Sequence, residues 1–494
     1  MKIAGLDIGT TGCKLTVFDE RGVYLDKAYQ DYPASREAGE HEIDADAILE
    51  GVYAVIKKMS ASYPDIAGIG VTSFGETFVM TDQYGKPLHR AMLYTDSRGI
   101  DECRELEERF GGRTIASITG AKPHEMYSLP KMMWLKKNRP EIYAQAKHIF
   151  LMEDFVIYAL TGEKKIDYSL ATRTMGFDIT ELKWSKELLN AAGIEESLLS
   201  EPVPTGTVAG TLNAQAAGRT GLREDTKIVA VSHDQVAAAV GSGVFDADKA
   251  VDGAGTVECI TPVYDGLPDM EVMYRGRYAV VPHILPGKYV CYAFSYTGGA
   301  LIQWCVDRFA KKEKEDAKKS GISVNQYLEE QSESPTGILV LPHFAGAATP
   351  YMDMGAKGAI VGLTAEHTLG DIYRACMEGV VYEMMLNMEY LKEAGVQIKM
   401  LHATGGGAKS KVWMQMKADM LNIPITTLAT SDAGTVGSAM LTGIAAGCFK
   451  DLEEAREAMV ETCEIYQPRP DMHEKYRAVY ERYRRLYDAV RPLV

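Results

Sequence analysis

The chain has 494 residues, room for two to four domains that each bury a full core, and with 46% hydrophobic and 24% charged residues it reads as globular rather than fibrous or disordered. A formal net charge of −15 opposes attachment to nucleic acid or an anionic membrane, whose phosphates would repel it, and favours small-molecule chemistry. The eight cysteines are scattered with no Cys-x-x-Cys or Cys/His cluster, which argues for buried thiols in a reducing compartment and against a disulfide frame or a zinc site.

At the N-terminus the apolar run Ile3 to Leu6 stops at Asp7, too soon for a secretory leader, and no later run reaches the length of a membrane span. A cytoplasmic protein is expected. Ile3 to Leu6 predicts a strand, Gly9-Thr10-Thr11-Gly12 a turn, and the alternation from Lys14 to Phe18 a second strand. Such a hairpin can aim backbone N–H groups and the hydroxyls of Thr10 and Thr11 at a phosphate, while Asp7 can hold a magnesium ion or its waters. An ordinary hairpin turn would carry the same residues.

After a turn at Asp19 to Gly22, Val23 to Tyr32 predicts a third strand, and Ile48, Val52, Val55 and Ile56 predict a helix over Ala45 to Ser60. Strands at Ile66 to Ser73 and Phe78 to Asp82 follow, so a mixed sheet with covered faces is expected. Between them, Glu76 could receive sugar hydroxyls, since an ionised carboxylate accepts several O–H bonds; it could equally be a solvated loop residue. Asp96 invites the same two readings. From Asp101 to Leu160 the periodicity is largely helical, with Met133 and Trp134 in the core. A helix beginning near Asp154 ends at Thr161-Gly162. Tyr168 to Asp178 reads as irregular or hairpin and Leu199 to Gly210 as a loop.

Ile228 to Val231 predicts a buried strand running into Ser232-His233-Asp234-Gln235 and a small-residue helix that ends at Gly241 to Gly243. Asp234 then sits at a strand end and a helix start, where the macrodipole favours an ionised carboxylate fit to act as a general base. The alternative is a plain N-cap. A first lobe is expected to end near Phe245.

Val251 to Ile260 repeats the pattern of acid, glycines and threonine, with Thr256 in the place of the first threonines, so two halves of about 245 residues read as a weak internal repeat holding a ligand between them. Strands are expected near Tyr274 to Val281 and Tyr289 to Phe294, then a helix opening at Thr297-Gly298-Gly299 and carrying Gln303 and Trp304. The charge run Lys311 to Lys319 reads as a solvated helix or loop. Further strands are expected at Ile338 to Leu341, Ala359 to Leu363 and Met400 to Ala403, with a helix from about Leu369 to Ala394. Thr404 to Ser410 places three glycines at a strand-to-helix turn, which lets a ligand approach the backbone closely. Ala408 before Lys409 breaks the Walker pattern, so Lys409 reads as a helix-start surface residue. Asp432 to Ala445 predicts a helix of small residues. Glu474 to Val490 predicts one whose Tyr476, Tyr480, Tyr483 and Tyr487 form a packing stripe.

Taken together these stretches resemble the FGGY family of carbohydrate kinases, within the actin/hexokinase/Hsp70 superfamily. DIGTTG at 7 to 12, K-x-x-W-L at Lys131 to Leu135, Asp154 to Gly162, HDQ at 233 to 235, DGAGT at 252 to 256, Gly298 to Trp304, Arg374 to Gly379 and Gly405 to Trp413 occur in family order across nearly the whole chain. The resemblance implies an α/β, two-lobed, ribonuclease H-like fold, with a sugar-binding lobe at 1–245 and a nucleotide-binding lobe at 246–494. It implies that Thr10, Thr11 and Thr256 bind ATP phosphates, that Asp7 organises Mg2+, and that Gly299, Gln303, Gly406, Gly407 and Ala408 line the nucleotide site. Asp234 would be the catalytic base, with Glu76, Thr77, Asp96, Asp234 and Gln235 contacting the sugar.

Xylulose kinases of the family usually carry Met-His-Gly where this chain has Phe74-Gly75-Glu76, whereas glycerol kinases keep Arg-Glu. Gly75 stands at the Arg position while Glu76 is kept, Asp96 is similar to the ketose kinases, and His233 before Asp234 is similar to some deoxyketose and polyol kinases; a ketopentose such as xylulose is the expected substrate, with a polyol or deoxyketose as alternative. An actin-like or chaperone-like ATPase is the alternative of another class. The oligomeric state is not readable, a homodimer being one arrangement the sequence allows.

Overall fold

The computed structural model describes residues 1–37, 39–333, 335–430 and 432–494. The first strand, Lys2–Ile8, pairs antiparallel with Gly12–Asp19 in the register Asp7↔Lys14, and Gly9 N donates to Gly12 O at 2.9 Å to close the turn between them. Tyr24–Asp31 adds an antiparallel edge. On the other side Ile66–Ser73 runs parallel to the first strand and Lys227–His233 parallel to that, with Thr207–Thr211 antiparallel at the far edge, so six strands form one mixed sheet. The central strands are near-continuous apolar runs because helices cover both of their faces.

On one face lies the helix Ala45–Ser60, capped by Asp44 and burying Ile48, Val52, Val55 and Ile56. On the other lie Asp234–Gly241 and Ala433–Ala446, whose Ala237, Val240, Val436 and Met440 pack on Ile3, Val229 and Val231. The helix Ala433–Ala446 comes down almost to the backbone of the sheet. A Cβ on Gly5 would stand 2.1 Å from Thr435 O, and one on Gly70 2.7 Å from Ser438 O. Hydroxyls fill the narrow gap: Ser438 Oγ donates to Gly70 O at 2.7 Å and Thr442 Oγ1 to Ala4 O at 3.3 Å. The two helices also cross glycine on glycine, a Cβ on Gly437 falling 2.0 Å from Ala237 O and one on Gly241 1.9 Å from Ala433 O.

The chain divides into two compact units, one of Met1–Phe245, Ala279–Val290 and Asp432–Val460, the other of Asp246–Tyr278, Cys291–Ser431 and Glu461–Val494. A single division after Phe245 was the expectation; segments 279–290 and 432–460 group with the first unit, the latter because its small-residue helix covers that unit's sheet. In the second unit Lys249–Ala254 and Glu258–Asp265 form an antiparallel hairpin, and Lys249–Ala254 runs parallel to Met400–Thr404. Ile425–Leu428 continues the parallel run and Thr462–Tyr466 ends it antiparallel. Hairpin first and parallel strand beside it is also the arrangement in the first unit.

Four local expectations need correction. Tyr274 to Val281 is not one strand: Asp269 caps a helix Met270–Arg275, and extended chain resumes at Val280–Pro282. Leu199 to Gly210 is not all loop, since Glu201–Val203 pairs with Lys165–Asp167 and Thr207–Thr211 joins the main sheet; Pro202 sits in the first of these strands, part of a two-stranded ribbon, and Pro204 follows it. Tyr168 to Asp178 opens with a helix, Tyr168–Thr172, capped by Asp167. The C-terminal helix is two, Pro470–Tyr483 and Leu486–Val490, while Tyr476, Tyr480 and Tyr483 are buried as a packing stripe should be. Lys311–Ser320 is helical with Ala317 its buried residue. Among the described residues no helix is long and apolar enough to cross a membrane, and all eight cysteines are free thiols.

Because backbone rather than a movable side chain faces Gly437, Gly437→Ala is expected to destabilise the protein by about 1–3 kcal/mol or more, read as a lowered midpoint in chemical denaturation. Gly218, inside the helix Ala214–Thr220 with nothing within 4 Å of its added Cβ, is the control: Gly218→Ala should be neutral or stabilising by about 0.5–1 kcal/mol.

Candidate active site

In the first unit the C-terminal ends of the central strands carry the polar groups. Asp7 lies near the end of the first strand, opposite Lys14, and a Cβ on Gly434 would stand 3.3 Å from its Oδ2. Lys14 Nζ is 2.8 Å from Asp432 Oδ1 and Lys27 Nζ 3.1 Å from Oδ2, so Asp432 engages both lysines. Burial pushes the Asp7 carboxyl up, Lys14 pulls it down and Asp432 pushes it up again. Among the described residues nothing donates a hydrogen bond to Asp7. A half-buried, acceptor-only group in that position is suited to a hard cation and its waters. Thr10 and Thr11 sit at the open tip of the hairpin, which two tyrosines brace: Tyr32 Oη donates to Gly9 O at 2.7 Å and Tyr29 Oη to Thr11 O at 3.4 Å.

Asp234 is the first residue of its helix, and the capping position belongs to His233, so the N-cap alternative does not hold. Among the described residues its Oδ1 has no hydrogen-bond partner, although His233 Nε2 lies 3.3 Å away. Burial first, then the charges of Asp7 and Glu76, push the Asp234 carboxyl up to about 7, against hydrogen bonds from Gln235 that pull it down. His233 offers no compensating charge, because burial and Arg173 hold it well below the usual imidazole range. Three carboxylates thus gather at one place, and the ionised form of Asp234 is poised near neutrality.

Glu76 is buried with φ +61°, a left-handed conformation rare for a residue with a side chain, and its carboxylate meets a cation that the sequence reading did not find. Arg173 Nε donates to Glu76 Oε1 at 2.6 Å, and Arg173 Nη2 donates to the same oxygen. Ser128 Oγ donates to Glu76 O at 2.6 Å. Asp96 and Thr77 do not reach a cavity as their side chains stand. No part of the Asp96 side chain is exposed; its oxygens accept from Arg98 and from His41 N at 2.9 Å. Burial alone would raise Asp96, but Arg98 and the two backbone N–H groups hold it below the usual carboxylate range. Thr77 is fully buried and its hydroxyl finds no partner. Both side chains are buried, so neither is exposed for the sugar contacts expected of them.

The second unit holds a cleft of about 1460 Å3 lined by Thr256, Gly299, Gln303, Gly406 and Gly407, all expected from the sequence. Ala408 is not among its lining residues, although Gly407 and Lys409 on either side of it in the 3-10 segment Gly407–Lys409 are. The sequence reading missed the rest of the wall: Tyr373, Met377 and Trp413 supply apolar surface, and Glu329 accepts from Ser410 Oγ at 2.7 Å. Glycine is required at the turn, since Gly405 has φ +91° and a Cβ on Gly407 would stand 2.7 Å from the Trp413 ring. Flat apolar walls beside a glycine turn and a threonine hairpin suit a nucleotide, base on one side and phosphates on the other. Under that hairpin Lys417 is fully buried, 2.7 Å from Asp252 Oδ2 and bonded to Glu258 Oε1. Burial and Asp252 drive Glu258 well above the carboxylate range, against the pull of Lys417.

A family model described as the FGGY family of carbohydrate kinases, N-terminal domain, matches residues 2–241, and its C-terminal counterpart matches 267–446. The chain belongs to the FGGY family of carbohydrate kinases. A xylulose kinase of Bacillus subtilis is 27% identical to this FGGY chain over 483 residues, covering 97% of it and 95% of the relative. A glycerol kinase of Oceanobacillus iheyensis is 30% identical over 471 residues, covering 92% and 91%. Among solved structures, a xyloylose kinase from Brucella ovis superposes with a TM-score of 0.89 at 26% identity and covers 100% of each chain. This FGGY protein is thus an ATP-dependent carbohydrate kinase of actin-like α/β fold.

Removing one member of a buried ion cluster leaves the others uncompensated. Lys417→Ala is expected to cost about 3–5 kcal/mol of stability in denaturant titration, and adding ATP should restore less of it than in the wild type.

Proposed function

We propose that this kinase phosphorylates a ketopentose of the xylulose type, with Asp234 as the general base. The observation that carries the reading is the Asp234 carboxylate: one oxygen without a partner, at a strand end beside Asp7 and Glu76, with its pKa near 7. The ionised oxygen would accept the proton of the sugar hydroxyl as that hydroxyl attacks the γ-phosphorus of ATP. Because phosphoryl transfer is loose, the remaining residues serve mainly to position and to stabilise charge. Thr10, Thr11 and Thr256 would donate to phosphate oxygens, and Gly299, Gln303, Gly406 and Gly407 would line the nucleotide. Glu76, Asp234 and Gln235 would hold the sugar, enclosed by Thr77 and Asp96.

Asp7 would hold Mg2+, a role supported by a carboxylate that no protein donor occupies. When bound, that ion neutralises phosphate charge. No group of three or more candidate ligands exists among the described residues, in keeping with a cation that takes most of its ligands from phosphate and water. The ketopentose assignment is supported by xylulose kinases among relatives that match almost the full chain. A cytoplasmic location fits the free thiols, six of them buried.

ADP release measured against a panel of ketoses, polyols and aldoses tests the reading; stimulation by glycerol or erythritol in place of any ketopentose would move the assignment to a polyol. Asp234→Ala should lose about a hundred- to ten-thousand-fold in kcat while keeping its nucleotide affinity. Since the base works ionised, kcat/KM for the sugar should rise with pH and level off above about 7. Stability runs the other way: a carboxyl raised in the folded state favours folding when protonated, and that contribution is lost as pH climbs through about 7. Asp234→Asn is therefore expected to raise the thermal midpoint near pH 8 and to change it little near pH 4.

A further inference from the structure

Arg173 reaches Glu76 across 97 residues of sequence. Its guanidinium lies 5.2 Å above the Tyr127 ring, and it follows directly on the helix Tyr168–Thr172, which Asp167 caps through Ser169 N and Leu170 N. In that helix Ser169 Oγ donates to Asp167 Oδ1 at 3.0 Å and accepts from His233 N at 2.8 Å. One short helix thus anchors both the partner of Glu76 and the backbone next to Asp234. Gly75 completes the arrangement by absence: a Cβ there would stand 3.0 Å from Arg173 Cγ and 3.1 Å from His233 Cδ2.

Both guanidinium bonds go to Oε1 of Glu76, and among the described residues no donor reaches Oε2. Resting on the kinase reading above, we propose that Arg173 is a positioning residue for the sugar: it pins Glu76 so that Oε2 accepts substrate hydroxyls, and the pair selects neutral polyhydroxylated substrates against sugar acids. The charge balance gives the reason. Glu76 already neutralises Arg173, so the charge left beside the sugar is that of the Asp234 carboxylate, which repels a carboxylated sugar and welcomes hydroxyl donors. Without the Glu76 charge, the planar fork of Arg173 would be matched to a ligand carboxylate.

The test uses the full-length enzyme in the ADP-release assay, with the best neutral sugar of the panel and with a five-carbon aldonate. Wild type should turn over the neutral sugar and not the aldonate. Arg173→Leu should raise the KM for the neutral sugar at least about tenfold with the KM for ATP unchanged, and Arg173→Lys should recover part of the loss. Glu76→Gln, which removes a charge and almost no volume, should weaken the neutral sugar and admit the aldonate. If circular dichroism shows Arg173→Leu to be unfolded, Glu76→Gln and Arg173→Lys carry the test. A wild-type sugar KM in Arg173→Leu, equal losses for sugar and ATP, or a Glu76→Gln enzyme that still refuses the aldonate would overturn the proposal and leave the kinase reading intact. A wild type that binds ATP and answers to no sugar would sink both.

Discussion

The first unit depends on how closely one helix can approach a sheet. Glycine at 5 and 70 strips two adjacent parallel strands of side chains along one line, and Ala433–Ala446 settles into that line with backbone against backbone. Dispersion at such a distance is strong only if nothing protrudes, which is why the helix meets the glycine line with Thr435, Ser438, Ala439 and Thr442. Its hydroxyls bond to strand carbonyls, so the contact is polar as well as close. Because the same helix crosses Asp234–Gly241 glycine on glycine, and begins beside Asp7, it fixes two of the acidic residues by packing alone.

Electrostatics then follow from crowding. Asp7, Glu76 and Asp234 come from three different strand ends, and each ionised neighbour makes the next ionisation harder. The chain relieves the strain selectively. Glu76 receives Arg173, Asp7 has Lys14 across the hairpin, and Asp234 receives hydrogen bonds from Gln235 but no cation. The group with the least compensation is the one that titrates near neutrality, as proton-transfer chemistry at physiological pH requires.

Much of this was legible in the sequence wherever function is attached to local backbone. The hairpins bearing Thr10 and Thr256, the strand end at Asp234 and the glycine turn at Gly406 and Gly407 are short-range patterns whose geometry is dictated by neighbouring residues. Groups assembled over long separations were not legible. Arg173 carries no local mark of its bond to Glu76, and nothing local marks Tyr373 and Met377 as lining a cleft with Trp413. The partner of Asp96 was not legible either: a carboxylate after a strand looks available, but Arg98 two residues on folds back over it. The strand expected over Tyr274 to Val281 overlaps the end of the helix Met270–Arg275, which at six residues is too short to show a period of 3.6.

The grouping of 432–460 with Met1–Phe245 bears on biosynthesis. Leaving the ribosome, the first 245 residues carry a sheet whose glycine-lined face, with Ile3, Phe18, Val229 and Val231, still awaits its cover. That cover is encoded almost two hundred residues later. For the residues in between, the nascent chain therefore displays an unfinished apolar surface, the kind of surface that chaperones shield.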